Sequence, residues 1–310
     1  IMVTNDGGDK KGGRMEYESL FALGPLCNID DPNIVIRSSR LCDELGMDTI
    51  SSGVTIAWAM ECFEKGILNG DDLDGVSLSF SNSEDFLHIL NLIAQRKGIG
   101  DLLSLGTKRC SEIVGNGSED WAMHVKGLEM PGYEPRALKT LALGLAITPR
   151  GACHNRSSAY EADLSGQVDR FTADEYRGDI TATSEDFSAV LDSLIWCKFL
   201  RKAFNDFYQE SADAYNLVTG WDMTPDELRT CGERINNLKK LFNIREGWSR
   251  SDDTLPPRIL KEKLPDGVMP GAGLTSDELS LMIEGYYKAR GWTEDGLIPE
   301  SKLVELNIAY

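Results

Sequence analysis

The sequence predicts a mainly α protein with a few short strands, arranged as two helical domains that face one cleft. Three observations support this prediction. Signals for helix starts and ends recur along the chain, a short acidic motif occurs once in each half, and Gly115-Asn116-Gly117 forms the clearest break between the halves. We therefore expect a first domain at residues 1–122 and a second at residues 123–310.

Helix-capping residues and apolar periodicity define the elements of the first half. Asp31-Pro32 is a typical helix start and Gly46 a typical C-cap, which places Asp43 and Asp48 on either side of a helix–helix junction. Residues 1–14 are rich in Gly, Asp and Lys, so we expect a loop or a frayed start there. The predicted elements are helices at about residues 31–45, 50–66 and 83–98 and a strand at residues 76–80.

The second half contains the longest predicted helices. Ser184-Glu185-Asp186 predicts the start of a helix at about residues 186–203, whose middle would carry Asp192 and Cys197. The Gly-rich and polar stretch at residues 150–160 is expected to be a loop that holds His154. The other predicted elements are a weak strand at residues 123–130 and helices at about residues 135–145, 224–245, 276–290 and 300–308.

Composition and charge narrow the class of protein. The chain has 310 residues and a formal net charge of −18, which argues against nucleic acid or an anionic membrane as a partner. No apolar run reaches the roughly 20 residues that span a bilayer. Seven cysteines without a C-x-x-C pair argue against a disulfide framework, so we expect a cytoplasmic protein.

The acidic motif has the form D-x-x-x-x-[CD] and runs from Asp43 to Asp48 and from Asp192 to Cys197. An aspartate can accept two parallel hydrogen bonds from a planar N–C–N edge such as an aminopyrimidine, and a cysteine thiolate can bind iron. The same residues also fit a carboxylate at a helix end and a cysteine that packs as a small apolar side chain. The motif alone leaves both interpretations open.

Six further motifs give the sequence a specific resemblance. They occur in the order Glu16–Leu20, Asp48–Gly53, Ala57–Gly66, His124–Glu129, Arg150–His154 and Arg245–Trp248. In order and spacing, and over nearly the whole chain, they resemble the tungsten-dependent aldehyde:ferredoxin oxidoreductase family. The resemblance concerns its C-terminal helical portion, domains 2 and 3. The family's N-terminal domain and its C-x-x-C-x-x-x-C run are absent from the sequence and are expected upstream of residue 1.

The resemblance implies a cofactor and its binding residues. The cleft would hold tungsten bound by the dithiolenes of two pterins, or the molybdenum analogue. In the fragment alone, this cofactor and the iron–sulfur cluster described next could both be absent. Asp43 and Asp192 would each bind one aminopyrimidine edge, Asp48 would contact the second pterin, and Cys197 would be the fourth ligand of a [4Fe–4S] cluster. The sequence departs from the family at Ile195-Trp196, where Gly-Leu is usual, and this puts bulk beside the pterin edge.

The resemblance also implies an activity. Glu18 would act as a base towards water or an aldehyde hydrate, and His154 would hydrogen-bond the substrate oxygen and relay its proton, neither being a metal ligand. A small aldehyde would become a carboxylic acid, with electrons passed through the cluster to ferredoxin or another redox partner. The N-terminal domain and a second copy of the chain are further implied partners. The fragment alone is expected to be inactive and to carry no stable cluster.

Two other functions remain open. The tungsten subunit of class II benzoyl-coenzyme A reductase looks similar over the same motifs, and its substrate is reduced rather than oxidised. A non-catalytic helical fragment or scaffold is the third hypothesis, because Cys197 alone cannot hold a cubane cluster.

Overall fold

The structure is a computed structural model that describes residues 2–6, 9–13, 15–70, 73 and 75–309, with the backbone alone for the first two ranges. Helices dominate this part of the chain, so the predicted mainly α fold class is confirmed. Backbone contacts divide the chain into two compact units. Unit 1 comprises Ile1–Glu134 and Pro256–Arg258, and unit 2 comprises Pro135–Leu255 and Ile259–Tyr310. The division lies at residues 134 and 135, whereas the sequence suggested 122 and 123.

Two short β-hairpins and a group of helices form the described part of unit 1. The strands are β1 (Met2–Asp6), β2 (Asp9–Gly13), β3 (His124–Val125) and β4 (Leu128–Glu129). The helices are α1 (Tyr17–Leu23), α2 (Pro32–Leu45), α3 (Thr49–Glu64), α4 (Ser83–Gln95), α5 (Ile99–Leu103) and α6 (Thr107–Val114). The strands pair antiparallel within each hairpin, β1 with β2 and β3 with β4.

Helix α3 is the centre of the core of unit 1. Its residues from Ser52 to Met60 are all buried, because small and apolar side chains occupy every side of this segment. Gly53 allows α1 to approach closely, since a Cβ atom there would lie 2.2 Å from the carbonyl oxygen of Ala22. Arg258 donates hydrogen bonds of 2.6 and 2.8 Å to the two carboxylate oxygens of Glu61, which anchors the short second segment of unit 1 to α3.

Unit 2 is built from helices of very different lengths. They are α7 (Lys139–Ile147), α8 (His154–Ser157), α9 (Tyr160–Ser165), α10 (Tyr176–Ser193), α11 (Phe207–Thr219), α12 (Pro225–Arg245), α13 (Pro257–Lys261), α14 (Ser276–Arg290) and α15 (Glu300–Glu305). The first residues of α13 belong to unit 1 and the rest to unit 2. Among the described residues, no helix has the length and apolar composition needed to cross a membrane.

Helix α10 packs against both α12 and α14 at the centre of unit 2. Glycines make these contacts close: a Cβ atom on Gly178 would lie 2.2 Å from the backbone of Gly285, and one on Gly232 would lie 2.5 Å from the carbonyl oxygen of Asp186. Arg290 on α14, almost fully buried, donates hydrogen bonds to Glu185 and Asp186 on α10. The orientation of α10 is therefore fixed by backbone-to-backbone contact and by a buried ion pair.

Three predicted elements differ from the structure. The strand expected at Val76–Phe80 is wrong, because the backbone N–H of Ser77 donates to the carboxylate of Asp85 rather than to a second strand. The expected loop at residues 1–14 is wrong for the described residues, which pair as the β1–β2 hairpin. The strand expected at residues 123–130 is shortened to the two-residue strands β3 and β4, because Lys126 and Gly127 both have positive φ and turn the chain.

Candidate functional site

The two D-x-x-x-x-[CD] motifs adopt the same backbone turn in their respective units. The third residue after each aspartate is left-handed, Gly46 with φ of 69° and Ile195 with φ of 60°. The N–H of Gly46 donates to the carbonyl of Asp43 (3.3 Å), and that of Ile195 donates to the carbonyl of Asp192 (3.2 Å). In each motif the next N–H bonds the carbonyl five residues before it, at 2.8 and 3.0 Å. These are the two bonds of the Schellman motif, so the repeated sequence encodes one type of helix end.

The aspartates of these turns lie where helix energetics disfavour them. Asp43 and Asp192 are both in the last turn of their helices, at the negative end of the helix dipole. The side chain of Asp43 is exposed and makes no hydrogen bond or ion pair with the described residues. A carboxylate kept at a helix C-terminus costs stability, so this position favours a role in binding over a role in folding.

Asp48 has a structural role at the start of α3. It is the N-cap of α3, and its Oδ2 accepts a 2.7 Å hydrogen bond from the backbone N–H of Ser51. This bond fixes the side chain on the far side of the junction from Asp43, as expected from the sequence. Helix capping thus uses Oδ2 of Asp48 and leaves Oδ1 outside the cap.

The turn after α10 corrects the predicted helix at residues 186–203. Helix α10 ends at Ser193, and Cys197 has extended backbone angles as the residue that precedes the 3₁₀ turn Lys198–Lys202. Helical geometry is interrupted because Ile195 is left-handed. Trp196 packs edge-to-face on Phe204, with ring centroids 5.3 Å apart. Cys197 is therefore exposed on a turn and does not lie on a helix face.

The segment of His154 is tied to this turn by two contacts within unit 2. The guanidinium of Arg156 donates a 2.5 Å hydrogen bond to Oδ2 of Asp192. The ammonium of Lys198 donates a 2.5 Å hydrogen bond to the carbonyl of Asn155. Residues 154–157, expected to be loop, form the short helix α8, and both contacts hold that helix against the turn that carries Asp192 and Cys197.

His154 is held as a neutral imidazole. Burial, followed by the positive charge of Lys198, lowers the pKa of His154 from 6.5 to about 4. The ring lies 5.9 Å, centroid to centroid, from the ring of Tyr160. A neutral imidazole can both donate and accept a hydrogen bond near neutral pH, which suits a group that relays a proton.

Glu18 lies in the first turn of α1 and is fixed by a peptide group distant in sequence. Its Oε2 accepts a 2.7 Å hydrogen bond from the N–H of Gly132, while the hydroxyl of Tyr17 donates to the carbonyl of Gly132 at 3.2 Å. No larger residue fits at position 132, because a Cβ atom would lie 2.7 Å from the ring of Phe21. Burial raises the pKa of Glu18, and the Gly132 N–H partly opposes this effect.

The structure thus brings together some of the predicted residues within each unit. Asp192, Cys197 and the His154 segment are neighbours in unit 2, while Asp43 and Asp48 flank one junction in unit 1. The pairing of Glu18 with His154, and of Asp43 with Asp192 across one cleft, remains a prediction. Sequence reasoning did not find Gly132, Arg156 and Lys198. A Pro-Gly dipeptide such as Pro131-Gly132 is a general signal for a turn, but the hydrogen bond from Gly132 to Glu18 joins residues 114 positions apart, which no local signal indicates.

The chemistry of the turn fits the cofactor that the sequence resemblance implies. The Asp192 carboxylate already accepts a hydrogen bond from a guanidinium, which presents the same kind of planar N–C–N edge as an aminopyrimidine. Cys197 is exposed, whereas five of the seven cysteines are buried. Within the described residues, no group of three or more His, Cys, Asp and Glu side chains is placed to bind a metal ion.

Comparisons with known proteins show which family this chain resembles over nearly its whole length. The family model described as aldehyde ferredoxin oxidoreductase, domains 2 & 3, matches residues 1–308. The tungsten-containing aldehyde ferredoxin oxidoreductase of Pyrococcus furiosus is 39% identical over 299 residues, which cover 95% of this chain and 48% of the relative. The enzyme of the same name from Thermococcus kodakarensis is 38% identical, with the same two coverages. The chain therefore spans about half the length of these relatives.

Two further proteins show the range of the similarity. The WOR-like subunit of an aliphatic sulfonate oxidoreductase from Pyrococcus furiosus is 30% identical over 305 residues, or 94% of this chain and 45% of the relative. The active site complex BamBC of benzoyl coenzyme A reductase, solved with 1,5 dienoyl-CoA, superposes with a TM-score of 0.76. That match covers 95% of this chain and 49% of the solved chain at 22% identity, so it establishes a shared fold alone.

The lowered pKa of His154 predicts a specific pH dependence of stability. Since the unfolded state takes up a proton near pH 6.5 and the folded state only near pH 4, the contribution of His154 is complete above pH 6.5 and is lost as the pH falls towards 4. We expect the difference in unfolding free energy between wild type and His154→Asn to change over that interval and to be constant above it. Denaturant unfolding of both proteins at pH 4 to 8 measures it; a flat difference throughout would contradict the assignment.

The left-handed Ile195 predicts that glycine is better at this position. A β-branched residue at φ of 60° costs roughly 1–2 kcal/mol, of which the greater flexibility of glycine offsets roughly 0.5–1 kcal/mol. Ile195→Gly should therefore raise the unfolding free energy by up to about 1 kcal/mol in urea unfolding. Leu281→Gly in the middle of α14 is the control and should lower it by about 1 kcal/mol. Equal destabilisation by both substitutions would show that the turn is not strained.

Proposed function

The chain belongs to the aldehyde ferredoxin oxidoreductase family, and from this premise we propose that the protein containing it oxidises aldehydes to carboxylic acids. The observation that carries the proposal is the turn after α10, where Asp192 accepts a hydrogen bond from a planar guanidinium and an exposed cysteine follows five residues later. The balanced reaction consumes one aldehyde and one water and releases one acid, two protons and two electrons. The electrons pass through a [4Fe–4S] cluster to ferredoxin or another redox partner.

We assign binding of a tungsten bis-pterin cofactor to three aspartates. Asp43 and Asp192 would each accept the N–C–N edge of one pterin, and Asp48 would contact the second pterin with the carboxylate oxygen that does not cap α3. The cofactor supplies the two-electron redox chemistry when it is bound. Cys197 would donate one thiolate to the cluster, and the remaining three would come from the part of the protein that this chain does not span.

Glu18 and His154 are the proposed proton-handling groups. The raised pKa of Glu18 makes its carboxylate a stronger base, and the Gly132 N–H keeps one of its oxygens in a fixed position. Glu18 would take the proton of the water or hydrate that adds to the aldehyde. His154, neutral above about pH 4, would donate a hydrogen bond to the substrate oxygen and pass its proton to solvent. Neither residue is proposed as a metal ligand.

Partners and cellular location follow from the same proposal. Because all seven cysteines are free thiols, we place the protein in a reducing compartment, the cytoplasm. The chain is also 30% identical to the WOR-like subunit of an aliphatic sulfonate oxidoreductase, so a sulfonate is the competing substrate class. A benzoyl-coenzyme A reductase-like activity, in which the substrate is reduced rather than oxidised, is a second alternative. The fold shared with BamBC gives it no support over aldehyde oxidation. A scaffold without redox activity is the remaining alternative.

We predict that Glu18→Gln and His154→Asn in the full-length protein lower the rate of aldehyde oxidation by roughly 10²–10⁴-fold, because each removes a positioned proton-transfer group. The tungsten content should stay at the wild-type level. The assay follows reduction of ferredoxin or a viologen dye, with tungsten measured on the same samples by mass spectrometry.

Matched surface substitutions separate this effect from general damage. Glu119 and His88 are exposed in unit 1, so Glu119→Gln and His88→Asn should leave turnover unchanged. Near-normal turnover in both Glu18→Gln and His154→Asn would refute the assignment. Loss of tungsten from either variant would instead show that the residue holds the cofactor. A wild-type protein that is loaded with tungsten but converts only a sulfonate would replace aldehydes as the substrate class.

A further inference from the structure

A pocket in unit 2 is lined by groups that the proposed reaction does not use. It has a volume of about 560 Å³, within the range of small-molecule sites. One wall is α12 and the other is the loop at residues 148–150 that precedes α8. Its apolar lining includes Pro149, Leu238 and Phe242, and the last two are 45% and 54% exposed. Large apolar side chains open to a concave surface favour a ligand with an apolar body.

Three cationic side chains, Arg150, Arg156 and Lys239, line the same pocket. Arg156 is paired with Asp192 through one nitrogen at 2.5 Å. For Arg150 the structure gives a 3.8 Å contact with the sulfur of Cys153, and for Lys239 a 3.4 Å contact with the amide oxygen of Asn236. Neither of these two is an ion pair, so the pocket carries more positive charge than the carboxylate of Asp192 neutralises.

Glu185, the acidic residue that lines the pocket, is hydrogen-bonded to residues in the core of unit 2. Glu185, which is 2% exposed, accepts a 2.5 Å hydrogen bond from the hydroxyl of Tyr286 and a 2.9 Å hydrogen bond from the guanidinium of Arg290. Its hydrogen bonds tie it to the core of unit 2, where the charge of Arg290 offsets part of its own. It therefore compensates the three cations only in part. In a chain of net charge −18, a concave site with this excess of positive charge is unusual.

Repulsion between Lys239 and Arg156 supports an excess of positive charge in the pocket. The pKa of Lys239 is lowered by burial and then by the positive charge of Arg156, while Glu185 and Asp192 oppose the effect. A bound anion would oppose both causes, because its negative charge would attract the ammonium of Lys239 and the guanidinium of Arg156. The arrangement is therefore more stable with an anion present.

We propose that this pocket binds an organic oxyanion, a carboxylate or a phosphate ester, whose charged group lies between Arg150 and Lys239 and whose apolar body lies against Leu238 and Phe242. Arg156 connects this site to Asp192, since its guanidinium has several N–H groups and uses one of them on that carboxylate. The inference goes beyond the proposed function: it requires no metal, and binding is measured without turnover.

The test is calorimetric titration of the full-length protein with hexanoate, hexyl phosphate and hexanol. We expect either anion to bind and hexanol to bind at least tenfold more weakly, because a hydrogen bond to a charged group contributes roughly 1.5–3 kcal/mol, or about tenfold or more in affinity. Tighter binding of hexanoate identifies a carboxylate ligand, and tighter binding of hexyl phosphate identifies a phosphate ester. Affinity for the anion should fall as salt is raised.

Variants decide whether the pocket is responsible. Lys239→Gln and Arg150→Gln should each weaken anion binding about tenfold, while Lys239→Arg should retain it. Arg150 is exposed, so its substitution leaves the fold intact even if Lys239→Gln unfolds. Lys288→Gln, which removes one charge from a side chain that is 81% exposed on α14, is the matched control and should bind as wild type. Equal affinity of wild type and Arg150→Gln, or equal binding of hexanol and the anions, would overturn the proposal.

Discussion

The buried guanidinium of Arg290 is the interaction on which the arrangement of unit 2 depends. It joins α14 to α10 through hydrogen bonds of 2.9 Å to Glu185 and 2.7 Å to Asp186, and it also bonds the carbonyl of Ala182. Removing one partner of such a buried pair leaves the other charge uncompensated, at a cost of about 3–5 kcal/mol. Since Gly178 and Gly285 already bring the two backbones into contact, the ion pair fixes which face of α10 turns inward. The position of Asp192, just under two turns farther along α10, follows from that choice.

The Schellman turn relates the two units and gives the short acidic motif its physical meaning. In both units it presents an aspartate from the last turn of a helix and a second candidate residue two positions after the left-handed one. Gly46 adopts this conformation without strain, whereas Ile195 does so at a cost. A glycine at position 195, which the sequence resemblance implies, would adopt this conformation without that cost. The departure at Ile195 leaves the turn intact and places an exposed apolar side chain beside Asp192.

Local signals in the sequence were sufficient for much of the fold. Residues close together in the chain predict the mainly α class, the start of α2 at Asp31-Pro32, its end at Gly46 and a helix at about residues 224–245, which the structure shows as α12. The predictions were wrong where contacts between residues distant in the sequence determine the local structure. The alternation at residues 76–80 has no strand partner among the residues that the structure describes, and the end of α10 depends on a left-handed isoleucine that no propensity favours. The candidate residues were chosen by motif, but the contacts of Glu18 with Gly132 and of Asp192 with Arg156 exist only after folding.

The pterin content of the full-length protein tests most directly whether Asp192 binds a pterin. Asparagine keeps the size of Asp192 but loses the charge that strengthens two parallel hydrogen bonds. Asp226→Asn, at a side chain that is 92% exposed at the start of α12, is the matched control. The account predicts that pterin per polypeptide, measured by fluorescence after oxidative release, falls clearly in Asp192→Asn and stays at the wild-type level in Asp226→Asn. Full pterin content in Asp192→Asn would contradict it.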